Sequence, residues 1–249
     1  MPELMDPLAA EFRLEGTNGE AVVLIHGFTG VPSHFRPLAH ELNEAGWTVN
    51  VPRLAGHGTS MEDLATTGPE DWIESARRAV AEVSDHSRIH VAGLSMGGLI
   101  SLILADEVGA ATVATIDSPV IVRDRTFYLA PVARYFMEKV TWDEEAVPDL
   151  DEEVQQYWLT YPGFYMTNAV GLMSLMARGV LAARSLDIPS LVVQSLADET
   201  VSPSSARILA RMLGRGNRLV WLEDSLHVAV LDNERDTIAD AYYELISSS

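Results

Sequence analysis

One serine stands in a sequence context that leaves little freedom for the local fold. Ser95 lies between Gly93 and Gly97, and it joins an apolar segment, 88–94, to a second one, 96–107. The first segment has the length of a buried strand and the second has the length of a buried helix. A strand that turns directly into a helix needs small residues two positions before and after the serine, because the two backbones pass closely. The pattern therefore predicts a serine nucleophile on a sharp turn at the end of a strand.

Strand-like and helix-like segments alternate along most of the chain. Strands are expected at 21–25, 47–51, 88–94, 111–117, 189–197 and 218–223, with helices between them. This alternation predicts a single α/β domain over 1–249, with a mostly parallel central sheet flanked by helices. Residues 119–186 contain no convincing strand and hold 10 of the 18 aromatic residues. We therefore expect a mostly helical cap insertion over about 119–186.

A serine nucleophile needs a general base, and the base needs a carboxylate that orients it. When the serine lies on a strand-to-helix turn, the order along the chain is serine, acid and histidine. Of the seven histidines, only His227 follows Ser95. Chain order therefore predicts His227 as the base.

The acid is predicted from its position relative to the strands. Asp198 follows the strand expected at 189–197, at the carboxyl edge where α/β sheets build their sites. Asp117 ends the preceding strand and remains the main rival. Asp224 lies close to His227 in sequence, but two residues of one short loop have poor geometry for this contact. We predict Asp198 as the orienting acid.

Acyl transfer also requires donors for the oxyanion of the tetrahedral intermediate. The backbone N–H of Met96, which follows the serine at the start of a helix, is one predicted donor. The second is expected in the loop after an early strand, where the sequence 26–30 reads HGFTG. The backbone N–H of Phe28 is the predicted second donor.

These motifs together resemble the α/β-hydrolase family, and within it the small bacterial carboxylesterases and monoacylglycerol lipases. The matching segments are HGFTG at 26–30, GHGTS at 56–60, GLSMGG at 93–98, LADETV at 196–201 and SLHVAVLDNERD at 225–236. The resemblance implies an α/β-hydrolase fold with a cap over an acyl pocket, and hydrolysis of uncharged carboxylic esters through an acyl-enzyme. It places Ser95, Asp198 and His227 in the catalytic positions and Phe28 and Met96 in the oxyanion positions.

Composition excludes several other classes of function. The 36 acidic and 17 basic side chains give a net charge of −19, which disfavours nucleic acid and anionic membrane surfaces as partners. The chain has no cysteine and no HExxH, its one lysine, Lys139, does not follow a glycine, and no complete dinucleotide-binding motif occurs. We therefore expect no metal and no cofactor. Since no signal-like or membrane-spanning segment is evident, we expect a cytoplasmic monomer or homodimer that acts on a small-molecule ester, without stable membrane insertion.

Several questions stay open at this point. The same three catalytic residues can act on thioesters, lactones or carbon–carbon bonds, and a homologue with low turnover can serve as a ligand-binding protein. His26 and His57 are expected to bond loop backbone, and the acidic segment 143–153 is expected to be a solvated face. The aromatic and methionine side chains of the cap either line an acyl pocket or pack the cap itself: Phe127, Tyr128, Tyr135, Phe136, Trp142, Tyr157, Trp158, Met166, Met173 and Met176.

Overall fold

The strands form one large sheet and one small one. The computed structural model describes residues 3–142 and 149–249. Strands in these ranges are Phe12–Leu14 (β1), Ala21–Ile25 (β2), Thr48–Val51 (β3), Ile89–Leu94 (β4), Thr112–Ile116 (β5), Lys139–Thr141 (β6), Gly163–Tyr165 (β7), Ser190–Ser195 (β8) and Asn217–Leu222 (β9). The seven-stranded sheet has the order β1-β3-β2-β4-β5-β8-β9, and only β1 is antiparallel to its neighbour. The predicted α/β class with a mostly parallel sheet is confirmed.

Helices cover both faces of this sheet. The α-helices are Arg36–Glu44 (α1), Met61–Ala65 (α2), Pro69–Ala81 (α3), Met96–Val108 (α4), Ala130–Ala133 (α5), Glu152–Gln155 (α6), Met166–Ala183 (α7), Ser204–Met212 (α8) and Arg235–Ser247 (α9). Short 3₁₀ helices are Pro7–Ala9, Pro32–Phe35, Arg125–Leu129 and Ala229–Leu231.

Alternate side chains of the strands face two separate apolar cores. In β2, Val23 and Ile25 pack into the core that contains α3, α4, α7 and α8, whereas Val22 and Leu24 pack against α1 and α9. All five residues of β2 are buried, as expected for a parallel strand covered on both faces. The sheet therefore forms the middle layer of three, and the carboxyl ends of its parallel strands meet at one edge, where such sheets build their sites.

The cap region differs from the prediction in its secondary structure. It contains an antiparallel pair of short strands, β6 and β7, so the expectation of no strand in 119–186 is wrong. Each strand has only three residues, too few for an alternating pattern to be visible in the sequence. Helices α5 and α6 are equally short, at four residues each.

Helix α7 packs as part of the layer that flanks the sheet. A Cβ atom added at Gly179 would lie 2.9 Å from Leu99 Cδ2 of α4, so the two helices are in close contact. Within the described ranges, α7 is the one helix with the length and mean hydropathy, 1.2 over 18 residues, of a membrane span, and 44% of that window is buried.

The acidic segment of the cap is described only in part. Asp149, Glu152 and Glu153 are exposed, in agreement with the predicted solvated face. Asp151 is also exposed, and its carboxylate pairs with Arg235 Nη1 of α9 at 2.6 Å. Asp143, Glu144 and Glu145 lie outside the described residues.

Candidate active site

The turn between β4 and α4 leaves no room for side chains two positions before and two positions after the serine. A Cβ atom added at Gly93 would lie 2.2 Å from Gly97 C, and one added at Gly97 would lie 1.9 Å from Ile25 O. Ser95 itself adopts φ 53° and ψ −120°, a backbone conformation that is strained for a residue with a side chain. Its N–H donates to Ile116 O at 2.7 Å, which fixes the turn against β5.

The structure brings Ser95, Asp198 and His227 into one line of hydrogen bonds. His227 Nε2 lies 3.0 Å from Ser95 Oγ, and His227 Nδ1 lies 2.9 Å from Asp198 Oδ2. The three residues follow β4, β8 and β9, whose carboxyl ends lie at one edge of the sheet. Because a carboxylate only accepts, the proton of neutral His227 is on Nδ1, and Nε2 accepts the Ser95 hydroxyl proton.

The surroundings of His227 favour its charged form. Burial alone would lower the pKa of His227, but the charge and hydrogen bond of Asp198, with a further contribution from Glu199, raise this pKa above its ordinary value. Asp198 is buried, and its second oxygen, Oδ1, accepts the N–H groups of Thr200 and Val201, each at 2.7 Å. Both oxygens of Asp198 are thus held in place.

Two carboxylates that follow His227 in the chain, Asp232 and Glu234, hold the backbone that precedes it. Glu234 accepts the N–H groups of Glu223, Asp224 and Ser225 at 2.9, 3.0 and 2.9 Å. Asp232 Oδ2 accepts the N–H of Leu226 at 2.6 Å. This role could not be predicted from the sequence, because only the fold of the loop identifies the acceptors.

Neither rival acid bonds the His227 ring in the described residues. Asp117 is fully buried at the end of β5, where its Oδ1 accepts the N–H of Ser195 at 2.7 Å and Gln194 Nε2 at 2.9 Å. Asp224 is exposed and lies in the loop held by Glu234. Within the described part of the chain, Asp198 is the carboxylate that bonds the His227 ring.

The loop that carries Phe28 lies against the serine. A Cβ atom added at Gly27 would be 3.3 Å from Ser95 Cβ. Neither the N–H of Phe28 nor that of Met96 donates to a protein acceptor in the described ranges. The Phe28 side chain lines the adjacent cavity, whereas the Met96 side chain is buried in the core.

The cap is bonded directly to this loop. Thr29, with φ 63°, accepts the N–H of Tyr161 at its carbonyl oxygen, at 3.1 Å. The Tyr161 hydroxyl donates to Gly56 O at 2.8 Å, and His34 Nε2 donates to Leu159 O at 2.9 Å. These bonds join the cap segment 157–161 to the core of the domain next to the serine.

A cavity of about 720 Å³ opens beside Ser95 and His227. Its walls are mostly apolar, with the carboxylates of Asp124 and Glu199 among the few charged groups. Of the ten cap side chains considered from the sequence, Phe127, Trp142 and Trp158 line the cavity. Others are exposed, for example Tyr135 and Phe136 at 71% and 87%. Met166 and Met173 pack against Ala130, so the cap contributes both a wall of the cavity and packing of its own.

The buried histidines outside this line of bonds have structural contacts. His26 Nδ1 donates to Gly27 O at 2.9 Å and its Nε2 accepts the N–H of Leu54 at 3.1 Å, and His57 Nδ1 donates to Ala55 O at 3.0 Å. Burial lowers the pKa of His57 to about 4 and that of His26 well below its ordinary value. Both rings bond loop backbone, as predicted. In residues 3–142 and 149–249 no group of three His, Asp or Glu side chains is placed to hold a metal ion.

Comparison with known proteins agrees with this architecture. The chain is 30% identical over 230 residues to a carboxylesterase of Bacillus subtilis (strain 168), covering 91% of this chain and 92% of that protein. It is 33% identical over 233 residues to a thermostable monoacylglycerol lipase of Bacillus sp. (strain H-257), covering 91% and 90%. A solved structure of one of two metagenome-derived lipolytic enzymes matches with a TM-score of 0.88 at 26% identity, covering 98% and 99%. The Alpha/beta hydrolase family model matches residues 22–241, so the chain belongs to the α/β-hydrolase family.

Proposed function

We propose that this protein is a serine hydrolase that cleaves uncharged carboxylic esters through an acyl-enzyme. The observation that carries the proposal is the unbroken line from Asp198 through His227 to Ser95, with contacts of 2.9 and 3.0 Å, beside an apolar cavity. A carboxylesterase and a monoacylglycerol lipase among its relatives support the same class of reaction.

In the proposed mechanism, Ser95 Oγ attacks the ester carbonyl while His227 Nε2 takes its proton. Asp198 holds the imidazole and stabilises the imidazolium. The N–H groups of Phe28 and Met96 donate to the oxyanion, and the imidazolium gives its proton to the departing alcohol oxygen. Water, which gives a proton to His227 Nε2, then attacks the acyl carbonyl; the bond to Ser95 Oγ breaks, the carboxylic acid leaves, and the imidazolium returns the proton to Oγ.

The cavity favours uncharged substrates with an apolar acyl group. Phe127, Trp142 and Trp158 supply aromatic walls, whose burial by a substrate is favourable. Asp124 and Glu199 lie in the lining, so an anionic substrate would meet two like charges.

The test is a panel of p-nitrophenyl esters of increasing acyl length, assayed beside monoacylglycerols and acyl thioesters. We expect oxygen esters to be hydrolysed with the highest kcat/KM. A preference for thioesters, or turnover of none of these compounds, would contradict the proposal. In the second case, a serine-directed fluorophosphonate would establish whether Ser95 is nonetheless activated, as in a ligand-binding homologue.

The Ser95→Ala variant tests the serine as the nucleophile. Because the hydroxyl is the attacking group, we expect kcat to fall on the order of 10⁵- to 10⁶-fold. A purified Ser95→Ala protein that kept a tenth of the wild-type turnover would exclude Ser95 as the nucleophile.

A further inference from the structure

Two buried carboxyl groups are bonded to the same amide. Gln194 Nε2 lies 2.9 Å from Asp117 Oδ1 and 3.2 Å from Asp198 Oδ2. Asp117 and Asp198 are fully buried and Gln194 is 1% exposed. Asp117 is therefore the beginning of a chain of contacts that continues through Gln194 and Asp198 to His227, although the mechanism above does not use it.

The hydrogen bonds divide unequally between the two carboxyls. Asp198 has four donors: two backbone N–H groups on Oδ1, and His227 and Gln194 on Oδ2. Asp117 has two donors, both on Oδ1, and its buried Oδ2 bonds nothing in the described ranges. A buried carboxylate needs donors on both oxygens to offset the loss of hydration. The pattern therefore assigns the negative charge to Asp198 and a proton to Asp117.

The charged groups around Asp117 lead to the same assignment. Burial and the charge of Asp198 raise the pKa of Asp117 well above its ordinary value, and Glu199 acts in the same direction. His227 and the N–H of Ser195 act in the opposite direction, with smaller effects. Two adjacent carboxyls cannot both ionise cheaply in a buried site, so one of them keeps its proton.

Asp117 also extends the contact between β5 and β8 by one residue. Its N–H donates to Val193 O at 3.0 Å, and its Oδ1 accepts the N–H of Ser195 at the end of β8. The residue has φ 46°, a left-handed conformation that Asp and Asn tolerate better than most residues with a side chain. A short polar side chain at this position thus fixes the end of the strand that precedes Asp198.

We propose that Asp117, in its protonated form, and Gln194 are positioning residues that hold Asp198 against His227. Neither residue touches the substrate or the reacting atoms. Asp117 orients the Gln194 amide and the end of β8, and Gln194 donates to the Asp198 oxygen that bonds His227. This inference rests on the proposed function, in which the Asp198–His227 contact orients the base.

The test compares the same substitution at the two carboxyls. Asp198→Asn removes the charge that holds the base, so kcat is expected to fall by about 10⁴-fold. Asp117→Gly removes the acceptor at a φ that suits glycine, and kcat is expected to fall roughly tenfold with KM unchanged, the size of a lost hydrogen bond. Asp117→Asn restores an uncharged acceptor, so kcat should recover to within about threefold of the wild-type value.

Gln194→Met tests the bridge without altering either carboxyl. Loss of one hydrogen bond to a charged oxygen is expected to lower kcat roughly 10- to 100-fold while KM stays the same. Circular dichroism and melting temperature identify any variant that fails to fold, and Asp117→Asn and Gln194→Met remain informative if Asp117→Gly does. A fall in kcat in Asp117→Asn as large as that in Asp198→Asn would show that Asp117 acts as an ionised carboxylate, and it would overturn the proposal. Wild-type kcat in both Asp117→Gly and Gln194→Met would overturn it as well.

One readout does not depend on ester hydrolysis. The infrared C=O stretch of a protonated buried carboxyl should be present in the wild-type protein at neutral pH and absent from Asp117→Asn. If the wild-type protein cleaved no ester but showed this band, the proposed function would fail while the protonation of Asp117 stood. If the band were missing from the wild-type protein, the proposal would fail whatever the activity.

Discussion

Glu199 contacts the proposed base, His227, through the backbone N–H of that histidine. Its Oε2 accepts the N–H of His227 at 3.1 Å, and its charge is one of those that raise the pKa of the His227 ring. The side chain is exposed and also lines the cavity, so solvent weakens its effect without removing it. Glu199 is therefore placed to tune the pKa of His227 without taking part in the proposed proton transfer.

We predict that Glu199→Gln shifts the acid limb of the kcat/KM profile to lower pH. In the proposed mechanism serine attack needs neutral His227, and removal of a nearby negative charge destabilises the imidazolium and lowers the pKa of His227. The glutamine oxygen can still accept the His227 N–H. The profile is measured with a neutral ester beside Asp240→Asn, which removes one exposed charge on α9. An unchanged acid limb, or an equal shift in Asp240→Asn, would contradict a local effect.

At the scale of elements, the loop before His227 depends on one carboxylate for its shape. Glu234 accepts three consecutive backbone N–H groups and the Ser225 hydroxyl at 2.8 Å. Burial would raise the pKa of Glu234, but these hydrogen bonds outweigh that effect and lower it below the ordinary 4.5. A lowered pKa means that the ionised side chain stabilises the folded state.

We predict that Glu234→Gln destabilises the protein at neutral pH and much less in acid. The contribution of Glu234 is fully present above its unfolded pKa and is lost as the pH falls through the lower folded pKa. Urea unfolding of both proteins, at neutral pH and at pH about 3, measures the difference. A difference in unfolding free energy that is the same at both pH values would show that charge has no part in the effect.

The turn at Ser95 leads to a prediction about packing. In Gly97→Ala the added methyl would lie 1.9 Å from Ile25 O, so β2 and α4 must move apart. We expect a fall in melting temperature, because overpacking costs about 1–3 kcal/mol or more. Gly68→Ala is the comparison: a Cβ there meets nothing within 4 Å at φ −150°, so only the loss of the N-cap glycine of α3 is expected to lower its melting temperature, and by less. Equal melting temperatures for the two variants would show that β2 and α4 separate without cost.

These elements also show how far the sequence leads. The buried strands and the turn at Ser95 are visible in it, because continuous apolar runs and glycines at fixed spacing reflect local constraints. The strands β1, β6 and β7 are not visible, because three residues carry no periodicity. The bridge from Asp117 to Asp198 is equally hidden, because Gln194 owes its role to strand pairing and not to any motif.

At the scale of the whole molecule, the net charge is −19. Like charges on a compact surface repel each other, and salt screens this repulsion between exposed charges more than about 8 Å apart at physiological ionic strength. The excess of acid over lysine resembles adaptation to high salt, although an Arg-rich, Lys-poor chain also follows from genomic base composition.

We predict that melting temperature and activity rise as NaCl increases from low to molar concentration. The reason is the screening of net repulsion, since the described ion pairs are mostly exposed and contribute little in return. The measurement is a thermal melt and an ester assay across the salt series. A protein indifferent to NaCl would remove the hypothesis of adaptation to salt.

The hydrogen bonds of Tyr161 to the loops at 26–30 and 56–60 limit which parts of the cap can be exchanged with those of a related protein. The Tyr161 N–H donates to Thr29 O, and its hydroxyl donates to Gly56 O. A chimaera that replaced 157–161 would therefore disturb the loop that carries the proposed oxyanion donor Phe28, together with the cavity wall at Trp158. Recombination that ends before residue 157 would keep these hydrogen bonds and still replace Phe127 and Trp142 in the cavity wall. The first part of the cap can therefore be exchanged without loss of these hydrogen bonds. Substrate preference can change there while the contacts around the proposed catalytic residues are kept.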